Sequence, residues 1–265
     1  MKFAQLNFNR CSAAHDLMEK LVEEEGIDFV LGCEPNLGKG RKEICDDNCD
    51  SFLGIRGKQA VMECFQGKGF VGIELKTMII ISCYYSPNGT MEAYEEMLDA
   101  MTERIRGSRK EVLVGGDLNA KTPVFGLLAS NRRGIMLEGW MATNRLVAIN
   151  RGPVPTFSTS RGNSVIDVTM GTEAIAREVG FWKVEVEREM LSDHRAIIFE
   201  VGGSIASMEK GKVTRQRWRF TKGAMERFCE EIPDMFSGAE MRTAERLMGE
   251  ITKKCEAHFG SQKAQ

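Results

Sequence analysis

Four short polar patches hold the side chains of this sequence that are best suited to chemistry. Each patch follows a run of apolar residues typical of a strand. In chain order they are Gln5-Leu6-Asn7, Cys33-Glu34-Pro35, Gly115-Gly116-Asp117-Leu118-Asn119-Ala120 and Ser192-Asp193-His194. Strands that pack in one fold can bring such distant patches to a common edge. Their carboxylates, carboxamides and imidazole suit an attack of water on a phosphodiester that is assisted by Mg²⁺.

Hydrolysis of a phosphodiester sets three requirements. The phosphate and the leaving alkoxide must be neutralised, which Mg²⁺ held by carboxylate oxygens can do. Water must be deprotonated by a general base. Charge that grows on the phosphoryl oxygens needs positioned donors. Glu34, Asp117, Asn119 and His194 offer the groups that these tasks need.

Each patch taken alone also has a plainer interpretation. Glu34 could be a carboxylate of a surface loop, and Gly-Gly-Asp followed by Asn is typical of a tight turn. If that segment is extended instead, Asp117 and Asn119 point to the same side. Asp193 and His194 could form an ordinary hydrogen-bonded pair or a solvated loop. Only the order and spacing of the patches together favour chemistry.

The remaining histidines and the eight cysteines carry no comparable signal. His15 lies near a predicted helix start and His258 lies in the tail, and we expect both to be exposed and inert. Cys45 and Cys49 lie four residues apart in an Asp-rich loop, but no second pair follows at zinc-finger spacing. The sequence therefore favours reduced thiols over disulfides or a structural zinc.

The hydrophobic pattern predicts many strands with a few helices between them. Caps at Ser12 and Thr90 begin two predicted helices, and a third is predicted at 134–143. Strands are predicted at 3–8, 27–32, 59–65, 70–75, 78–85, 112–115, 146–150, 165–170, 181–186 and 195–201. The alternation is too irregular for a doubly wound sheet. It predicts an α/β fold, a four-layer two-sheet β-sandwich flanked by helices.

Composition predicts two parts of the chain. Residues 1–203 hold all four patches and are long enough to bury a core. Residues 204–265 hold a basic stretch that includes Trp218 and two amphipathic helical patterns. We interpret this tail as a linker that leads toward a region absent from the chain. The formal net charge of −2 implies that any nucleic-acid contact uses local basic patches.

Apolar segments give no sign of a membrane protein. The longest of them, 78–85, is too short to cross a bilayer. The first residues lack the apolar core of a signal peptide. The expectation is an intracellular protein that works without a membrane.

In this order the patches resemble the endonuclease/exonuclease/phosphatase superfamily, which includes DNase I and the exonuclease III-type abasic-site endonucleases. The resemblance is strongest to the endonuclease domain of non-LTR retrotransposons and runs from about residue 3 to 201. Its segments are Gln5-Leu6-Asn7-Phe8-Asn9-Arg10, Gly116-Asp117-Leu118-Asn119-Ala120-Lys121-Thr122-Pro123, Gly152-Pro153-Val154-Pro155-Thr156-Phe157, Ser164-Val165-Ile166-Asp167-Val168-Thr169 and Ser192-Asp193-His194. The resemblance implies a DNase I-like fold and a reverse transcriptase region downstream in the same polyprotein.

The resemblance also implies a role for each matching residue. Glu34 would be the main Mg²⁺ ligand, with Mn²⁺ as a substitute ion. Asn7 would help to position the metal and the phosphate, and Asp193 would bind metal or tune the site. Asp117 would activate or orient the attacking water. Asn119 would hold the phosphate and the nucleophile in line.

Two further roles concern an imidazole and a tyrosine. His194 would donate to a phosphoryl oxygen in the transition state. Asp167 would hold the imidazole and favour its charged form, and a carboxylate in such an apolar strand needs a partner. Tyr85 would lie beside the scissile phosphate. Tyr84 is the competing assignment, because neighbouring residues alternate sides along a strand.

Arginines are the expected DNA contacts. Arg10 lies in the first matching segment and is expected to bind substrate. Arg161 lies in a polar loop where the family often uses a hairpin to probe the target groove, so it is the first candidate for recognition. Further candidates, although an arginine of this kind taken alone is more often a solvated surface charge, are Arg132, Arg133, Arg145 and Arg151.

The leading hypothesis is a Mg²⁺-dependent DNA endonuclease that acts in the nucleus. It would nick one strand of double-stranded DNA and leave a 3′-hydroxyl to prime reverse transcription. Three alternatives remain open: an abasic-site repair endonuclease, a lipid or inositol-phosphate phosphatase of the same superfamily, and an inactive relic that binds DNA or protein.

Overall fold

The computed structural model describes residues 1–37, 43–152, 154–160 and 162–202, together with the backbone of 217–218 and 261–262. The chain forms two compact units, Met1–Ile205 and Ala206–Gln265. In the second unit the strand Arg217–Trp218 pairs antiparallel with Ser261–Gln262. The two helices predicted for the tail lie outside the described residues.

The described part of the first unit contains fourteen strands, four α-helices and one short 3-10 helix, Pro123–Phe125. The strands are β1 (Lys2–Asn7), β2 (Phe29–Cys33), β3 (Ile44–Cys45), β4 (Ser51–Ile55), β5 (Glu63–Gly67), β6 (Phe70–Glu74), β7 (Met78–Tyr84), β8 (Glu111–Asp117), β9 (Leu146–Ala148), β10 (Phe157–Thr159), β11 (Gly162–Ser164), β12 (Asp167–Thr172), β13 (Val179–Val184) and β14 (Ile197–Val201). The helices are α1 (Ser12–Glu25), α2 (Met91–Arg106), α3 (Arg132–Thr143) and α4 (Glu173–Glu178).

Two six-stranded sheets and one hairpin contain these strands. The first sheet has the order β13-β14-β1-β2-β4-β3, and the second has the order β5-β6-β7-β8-β12-β9. Each sheet has one parallel pair at its centre, β1 with β2 and β7 with β8. The strands β10 and β11 form a separate antiparallel hairpin.

Three apolar clusters hold the layers together. The cluster between the sheets includes Phe3, Phe29 and Leu113. A second cluster packs α1 on the outer face of the first sheet, and a third packs α2 and α3 on the second sheet. Burial of such side chains stabilises the fold by about 1.5–3 kcal/mol each. The predicted four-layer sandwich of two sheets flanked by helices is confirmed.

Several local predictions differ from the structure. The strand Ser51–Ile55 lies in a segment predicted to be a loop, and the strand predicted at 59–65 begins only at Glu63. Thr90 caps α2 as predicted, because its hydroxyl accepts a hydrogen bond from the Ala93 amide. The prediction that Ser12 caps α1 is wrong: Cys11 is the N-cap residue and makes no side-chain cap bond.

The prediction that His15 is exposed and inert is also wrong. Its imidazole is 2% exposed and stacks on Phe8 with the ring centroids 4.1 Å apart. The Nε2 atom accepts a hydrogen bond from the Asn36 amide at 3.1 Å. His15 therefore packs α1 onto the end of β1. Within the described residues, no helix is long and apolar enough to cross a membrane.

Candidate active site

All four polar patches meet at one edge of the sandwich because of the strand directions. The parallel strands β1 and β2 both end there, with Asn7 paired with Cys33. In the second sheet β8 ends there at Asp117, and the antiparallel strand β12 begins there at Asp167, directly opposite. The strand β14 is antiparallel to β1 and therefore begins at this edge, shortly after His194.

Asn7 links the carboxylates of the two sheets. Its Nδ2 atom donates to Glu34 Oε2 and to Asp117 Oδ2, each at 3.0 Å. Its own Oδ1 atom accepts from the Asn9 amide at 2.8 Å, and its backbone oxygen accepts from the Ser192 hydroxyl at 2.7 Å. These contacts fix the carboxamide in one orientation, so both of its donor hydrogens point at carboxylates.

A turn directly after β2 carries Glu34 into this site. The residue has a left-handed backbone with φ of 47°. Its amide donates to the Asp50 oxygen at 2.7 Å, and its oxygen accepts from the Arg10 amide at 2.9 Å. The side chain is 23% exposed. The Glu34 carboxylate is thus held by backbone bonds but can be reached from solvent.

Asp117, Asp167 and His194 form a buried cluster beside this carboxylate. The His194 Nδ1 atom lies 2.9 Å from Asp167 Oδ2, and its Nε2 atom lies 3.8 Å from Asp117 Oδ2. The amide of His194 donates to the Ser192 hydroxyl at 3.1 Å, which fixes the backbone. The ring of Phe157 covers the imidazole with the centroids 4.8 Å apart. The pairing of Asp167 with His194 that the sequence predicts is confirmed.

Burial and charge shift the titration of two of these groups. Burial raises the pKa of Asp117 to about 7, and the charge of Asp167 acts in the same direction. Burial by itself would lower the pKa of His194, but the carboxylates of Asp167 and Asp117 outweigh it and raise that pKa to about 9. At neutral pH the imidazole is therefore charged, whereas Asp117 lies near its midpoint.

The two glycines before Asp117 make room for close neighbours of β8, Gly115 toward the other sheet and Gly116 toward the adjacent strand β7. A Cβ atom on Gly115 would lie 2.7 Å from Gln5 Oε1, and one on Gly116 would lie 1.7 Å from the Cys83 oxygen. The strand β8 continues through both glycines to Asp117. The tight-turn interpretation of Gly-Gly-Asp is therefore wrong, since these residues are glycine to admit neighbouring atoms.

Asn119 reaches the site by a different geometry from the extended one considered above. Its backbone is left-handed, with φ of 48°. Its amide donates to Asp117 Oδ1 at 3.0 Å, and its Nδ2 atom donates to the Tyr85 oxygen at 3.1 Å. Asn119 and Asp117 nevertheless line the same cleft.

The structure places Tyr84 at the site, and the expectation that Tyr85 faces it is wrong. Tyr84 is paired with Asp117 across the parallel strands β7 and β8, and paired residues project from the same face of a sheet. Burial, followed by the charge of Glu34 and a side-chain hydrogen bond to it, raises the pKa of Tyr84. Tyr85 instead donates its hydroxyl to the Thr90 oxygen and packs on Tyr94.

The side chains at this edge surround a cleft of about 460 Å³. Glu34, Tyr84 and Asp117 lie on one part of its wall, and His194 and Phe157 lie on another. The other lining residues are Ser86, Pro87, Asn88, Asn119, Lys121, Ser164 and Ile166. Phe157 and Ser192 were given no role from the sequence. Ser192 stands two residues before His194 in the fourth polar patch, and this position in the sequence was the available sign that it supports the imidazole.

Comparisons of sequence support the resemblance. A family described as endonuclease–reverse transcriptase matches residues 78–198. The 115 kDa protein of the type-1 retrotransposable element R1DM of Drosophila melanogaster is 27% identical over 292 aligned residues, which cover 97% of this chain and 28% of that protein. The Pol polyprotein of the element R1 of Bradysia coprophila is 28% identical over 134 residues, with 47% of this chain and 13% of that protein covered. The chain thus spans less than a third of either relative.

Solved structures agree in fold. The endonuclease domain of TRAS1, a telomere-specific non-LTR retrotransposon, superposes with a TM-score of 0.66 at 24% identity, covering 76% of this chain and 97% of that domain. The chain is therefore similar in sequence to proteins of type-1 retrotransposable elements and similar in fold to the TRAS1 endonuclease domain. The 3′–5′ exonuclease NExo of Neisseria meningitidis shares the fold with a TM-score of 0.58 at 14% identity, covering 76% of this chain and 99% of that protein.

The donor set at this edge fits a hard divalent cation. Carboxylate oxygens are the preferred protein ligands of Mg²⁺, and Glu34 offers one that solvent can reach. Asp117, Asp167 and His194 have ligand atoms that all lie within 4.8 Å of one another. Because Asp167 is already bonded to His194, Glu34 is the better-suited ligand, and Asn7 donates to its carboxylate and holds it in place. Burial keeps the pKa of the nearby Cys33 thiol raised, so its sulfur stays neutral.

Two other predicted site residues, Asp193 and Arg10, lie outside the lining of the cleft. Asp193 is exposed and accepts from Asn9 Nδ2 at 3.4 Å, and it does not line the cleft. Arg10 forms an ion pair with Asp50 at 2.7 Å and lies 4.0 Å from Glu34 Oε1. Its hydrogen bond to Asp50 raises the pKa of Arg10 further. Arg161 lies outside the described residues.

The further arginines differ in their contacts. Arg133 is buried and donates to the oxygens of Pro87 and Gly89, so it supports the loop after β7. Arg151 donates to the Val179 oxygen at 3.0 Å. Arg132 and Arg145 are exposed. The described contacts thus give Arg133 and Arg151 structural roles, and a contact of Arg132 or Arg145 with DNA stays a prediction.

Proposed function

We propose that this domain is a Mg²⁺-dependent DNA endonuclease. It hydrolyses one phosphodiester of double-stranded target DNA and leaves a 3′-hydroxyl, from which reverse transcription is primed during non-LTR retrotransposition. One observation carries the proposal. Asn7 Nδ2 donates at 3.0 Å to Glu34 and to Asp117, which joins a reachable carboxylate to the buried cluster that contains His194.

Glu34 would be the main ligand of the cation, and Asn7, which donates to the Glu34 carboxylate, would hold that carboxylate in position. When bound, Mg²⁺ neutralises charge on the phosphate and on the leaving 3′-oxygen. Asp117 is suited to accept the proton of the attacking water because its pKa lies near neutrality. Asn119 is bonded through its amide to Asp117 and can keep the nucleophile and the phosphate in line.

His194 supplies the donor for the phosphoryl oxygen. Asp167 holds Nδ1, so Nε2 is the atom left to face the cleft. With a pKa of about 9 the ring carries its proton at neutral pH and can donate to a developing anion. Tyr84, whose pKa is also raised, keeps its phenol proton and can donate as well.

The comparisons support the biological setting in this proposal. The relatives are proteins of retrotransposable elements, so the domain would act in the nucleus beside a reverse transcriptase region downstream in the same polyprotein. Arg10, which lies 4.0 Å from Glu34, and the exposed Arg132 and Arg145 would contact the DNA backbone, and Arg161 would take part in recognition.

The test is a nicking assay on supercoiled plasmid with Mg²⁺ and with a chelator, followed by extension of the product with a DNA polymerase. We expect relaxed circles only with Mg²⁺, or with Mn²⁺ in its place, and ends that the polymerase extends. Duplexes with an abasic site and a soluble inositol phosphate serve as competing substrates. Turnover of either one in place of intact DNA would refute the proposal, as would full nicking in chelator.

A further inference from the structure

We infer that Gln5 is a positioning residue that sets the spacing between the halves of the active site contributed by the two sheets. The inference rests on the proposed function for its catalytic consequence. Gln5 is 1% exposed and lies in β1, two residues before Asn7. Residues two apart in a strand project from the same face, so Gln5 and Asn7 both point toward the second sheet.

The carboxamide of Gln5 crosses from one sheet to the other. Its Nε2 atom donates to the Gly116 oxygen at 3.2 Å and to the Val168 oxygen at 3.1 Å. Gly116 directly precedes Asp117, and Val168 directly follows Asp167. One amide group therefore holds the backbone beside both buried carboxylates.

The acceptor atom of Gln5 is used as well. The Thr169 hydroxyl donates to Gln5 Oε1 at 3.1 Å, and the Trp182 indole donates to that hydroxyl at 3.0 Å. The donors and acceptors thus run in one direction, from indole to hydroxyl to amide. Because each polar atom in this buried chain has a partner, the chain fixes one arrangement of the sheets.

The packing also fits a residue of this size. A Cβ atom on Gly115 would lie 2.7 Å from Gln5 Oε1 and equally close to Leu31, so the glycine makes room for the amide. A glutamate would set a carboxylate against two backbone oxygens. A methionine has the length of Gln5 without its hydrogen bonds, which makes it the informative substitution.

The catalytic consequence follows from geometry. Asn7 Nδ2 must lie within hydrogen-bond distance of Glu34 and Asp117 at once, and these residues belong to different sheets. Loss of the amide beneath them would let the sheets shift by a fraction of an ångström. Misplacement by about 1 Å costs on the order of 100-fold in rate.

The kinetic test compares Gln5→Met with Ser82→Ala. Ser82 is buried and also donates from one sheet to the other, to the Gly32 oxygen at 3.3 Å, but its bond does not involve the residues beside the carboxylates. We expect kcat for plasmid nicking to fall roughly 30- to 100-fold in Gln5→Met, with KM for DNA changed less than about threefold. Ser82→Ala should retain kcat within about threefold. Equal losses of kcat in both variants would overturn the inference.

A second readout does not depend on cleavage. The side-chain amide of Asn7 is followed by ¹⁵N NMR in the full chain without metal. Gln5→Met should shift this resonance and speed its hydrogen exchange by about tenfold, because the bonds to both carboxylates loosen, whereas Ser82→Ala should leave it unchanged. An Asn7 signal in Gln5→Met identical to that of the wild type would also overturn the inference.

The two readouts separate failure of the inference from failure of the proposed function. If the wild type does not nick DNA, the proposed function fails, and the Asn7 signal alone decides whether Gln5 positions the site. If Gln5→Met does not fold, Thr169→Val removes the hydroxyl that holds Gln5 Oε1 and is examined by the same two measurements. We expect it to show the same changes at about a third of their size.

Discussion

The two sheets contribute unlike halves of the active site. The first sheet supplies Asn7 at the end of β1 and Glu34 from a left-handed turn after β2, and the Glu34 side chain is 23% exposed. The second sheet supplies Asp117 and Asp167 at paired positions of β8 and β12, where both are almost fully buried. Carboxylates of the same chemistry therefore meet very different surroundings.

This difference separates two tasks. A carboxylate that solvent can reach is able to exchange its water shell for a cation. Buried carboxylates act mainly on their neighbours, and here they raise the pKa of His194. If this division holds, substitution of Glu34 should impair cation binding, whereas substitution of Asp117, Asp167 or the adjoining His194 should impair proton chemistry.

Glu34→Gln should have the largest effect. It keeps the shape of the side chain but removes the charge, so Mg²⁺ loses its main ligand and nicking should fall by at least about 1000-fold. Calorimetric titration with Mg²⁺ should show binding lost in parallel. Asp47→Asn, which neutralises an exposed carboxylate of the loop between β3 and β4, is the matched control. Normal Mg²⁺ binding by Glu34→Gln would break the division between the sheets.

His194→Ala should lower kcat by about 100- to 1000-fold, because a charged donor to the transition state is lost. Mg²⁺ binding should persist. His15→Ala is the comparison, since His15 is equally buried but packs on Phe8. That variant should lose about 1–3 kcal/mol of unfolding free energy while its folded fraction keeps kcat. Comparable kcat losses in both variants would remove the special role of His194.

Asp167→Asn should lower kcat by about 10- to 100-fold at neutral pH, in line with the loss of a group that orients and charges an imidazole. Burial of His194 remains while the stabilising charge is gone, so its pKa should fall from about 9. His194 must be protonated to donate, and the alkaline limb of the activity profile should therefore move to lower pH. A histidine titration by NMR checks the shift. If the alkaline limb of the activity profile did not move, the titration of a group other than His194 would determine that limb.

Tyr84→Phe should have the smallest effect, a loss of about tenfold in kcat, since one hydrogen bond of roughly 1–1.5 kcal/mol disappears. Tyr85→Phe removes only the bond to the Thr90 oxygen and should leave kcat within about twofold. Initial rates on a short labelled duplex suffice for the comparison. The reverse ranking would restore Tyr85 as the tyrosine of the site.

Much of the fold could be predicted from the sequence, because its central strands are strongly apolar and long. Met78–Tyr84 is buried at each position, and no polar pattern interrupts it. By contrast, Ser51–Ile55 follows an Asp-rich turn and contains a glycine, so its pattern is too short to separate from a loop. The strand forms because it pairs along its length with β2. The local sequence of 51–55 does not reveal this pairing, which depends on the tertiary structure.

The sequence predicted which residues form the site more accurately than it predicted how their side chains are oriented. Asn7, Glu34, Asp117, Asn119, Asp167 and His194 come together in the structure as expected. The choice between Tyr84 and Tyr85 depended on the register of β7 against β8, which periodicity along one strand cannot supply. The burial of His15 depended on which face of α1 meets β1. In both errors the element was predicted correctly, but the direction in which a side chain points from the strand or helix was not. Packing against neighbouring elements determines that direction.

The position of β1 between β2 and β14 has a consequence for synthesis of the protein. The strand that completes the first sheet is the last one made, and it follows His194 by only a few residues. A nascent chain interrupted before residue 194 lacks the imidazole and leaves one edge of β1 without its partner. The complete cluster of Asp117, Asp167 and His194 therefore assembles only late in synthesis, and a fragment that ends earlier lacks the imidazole of the proposed site.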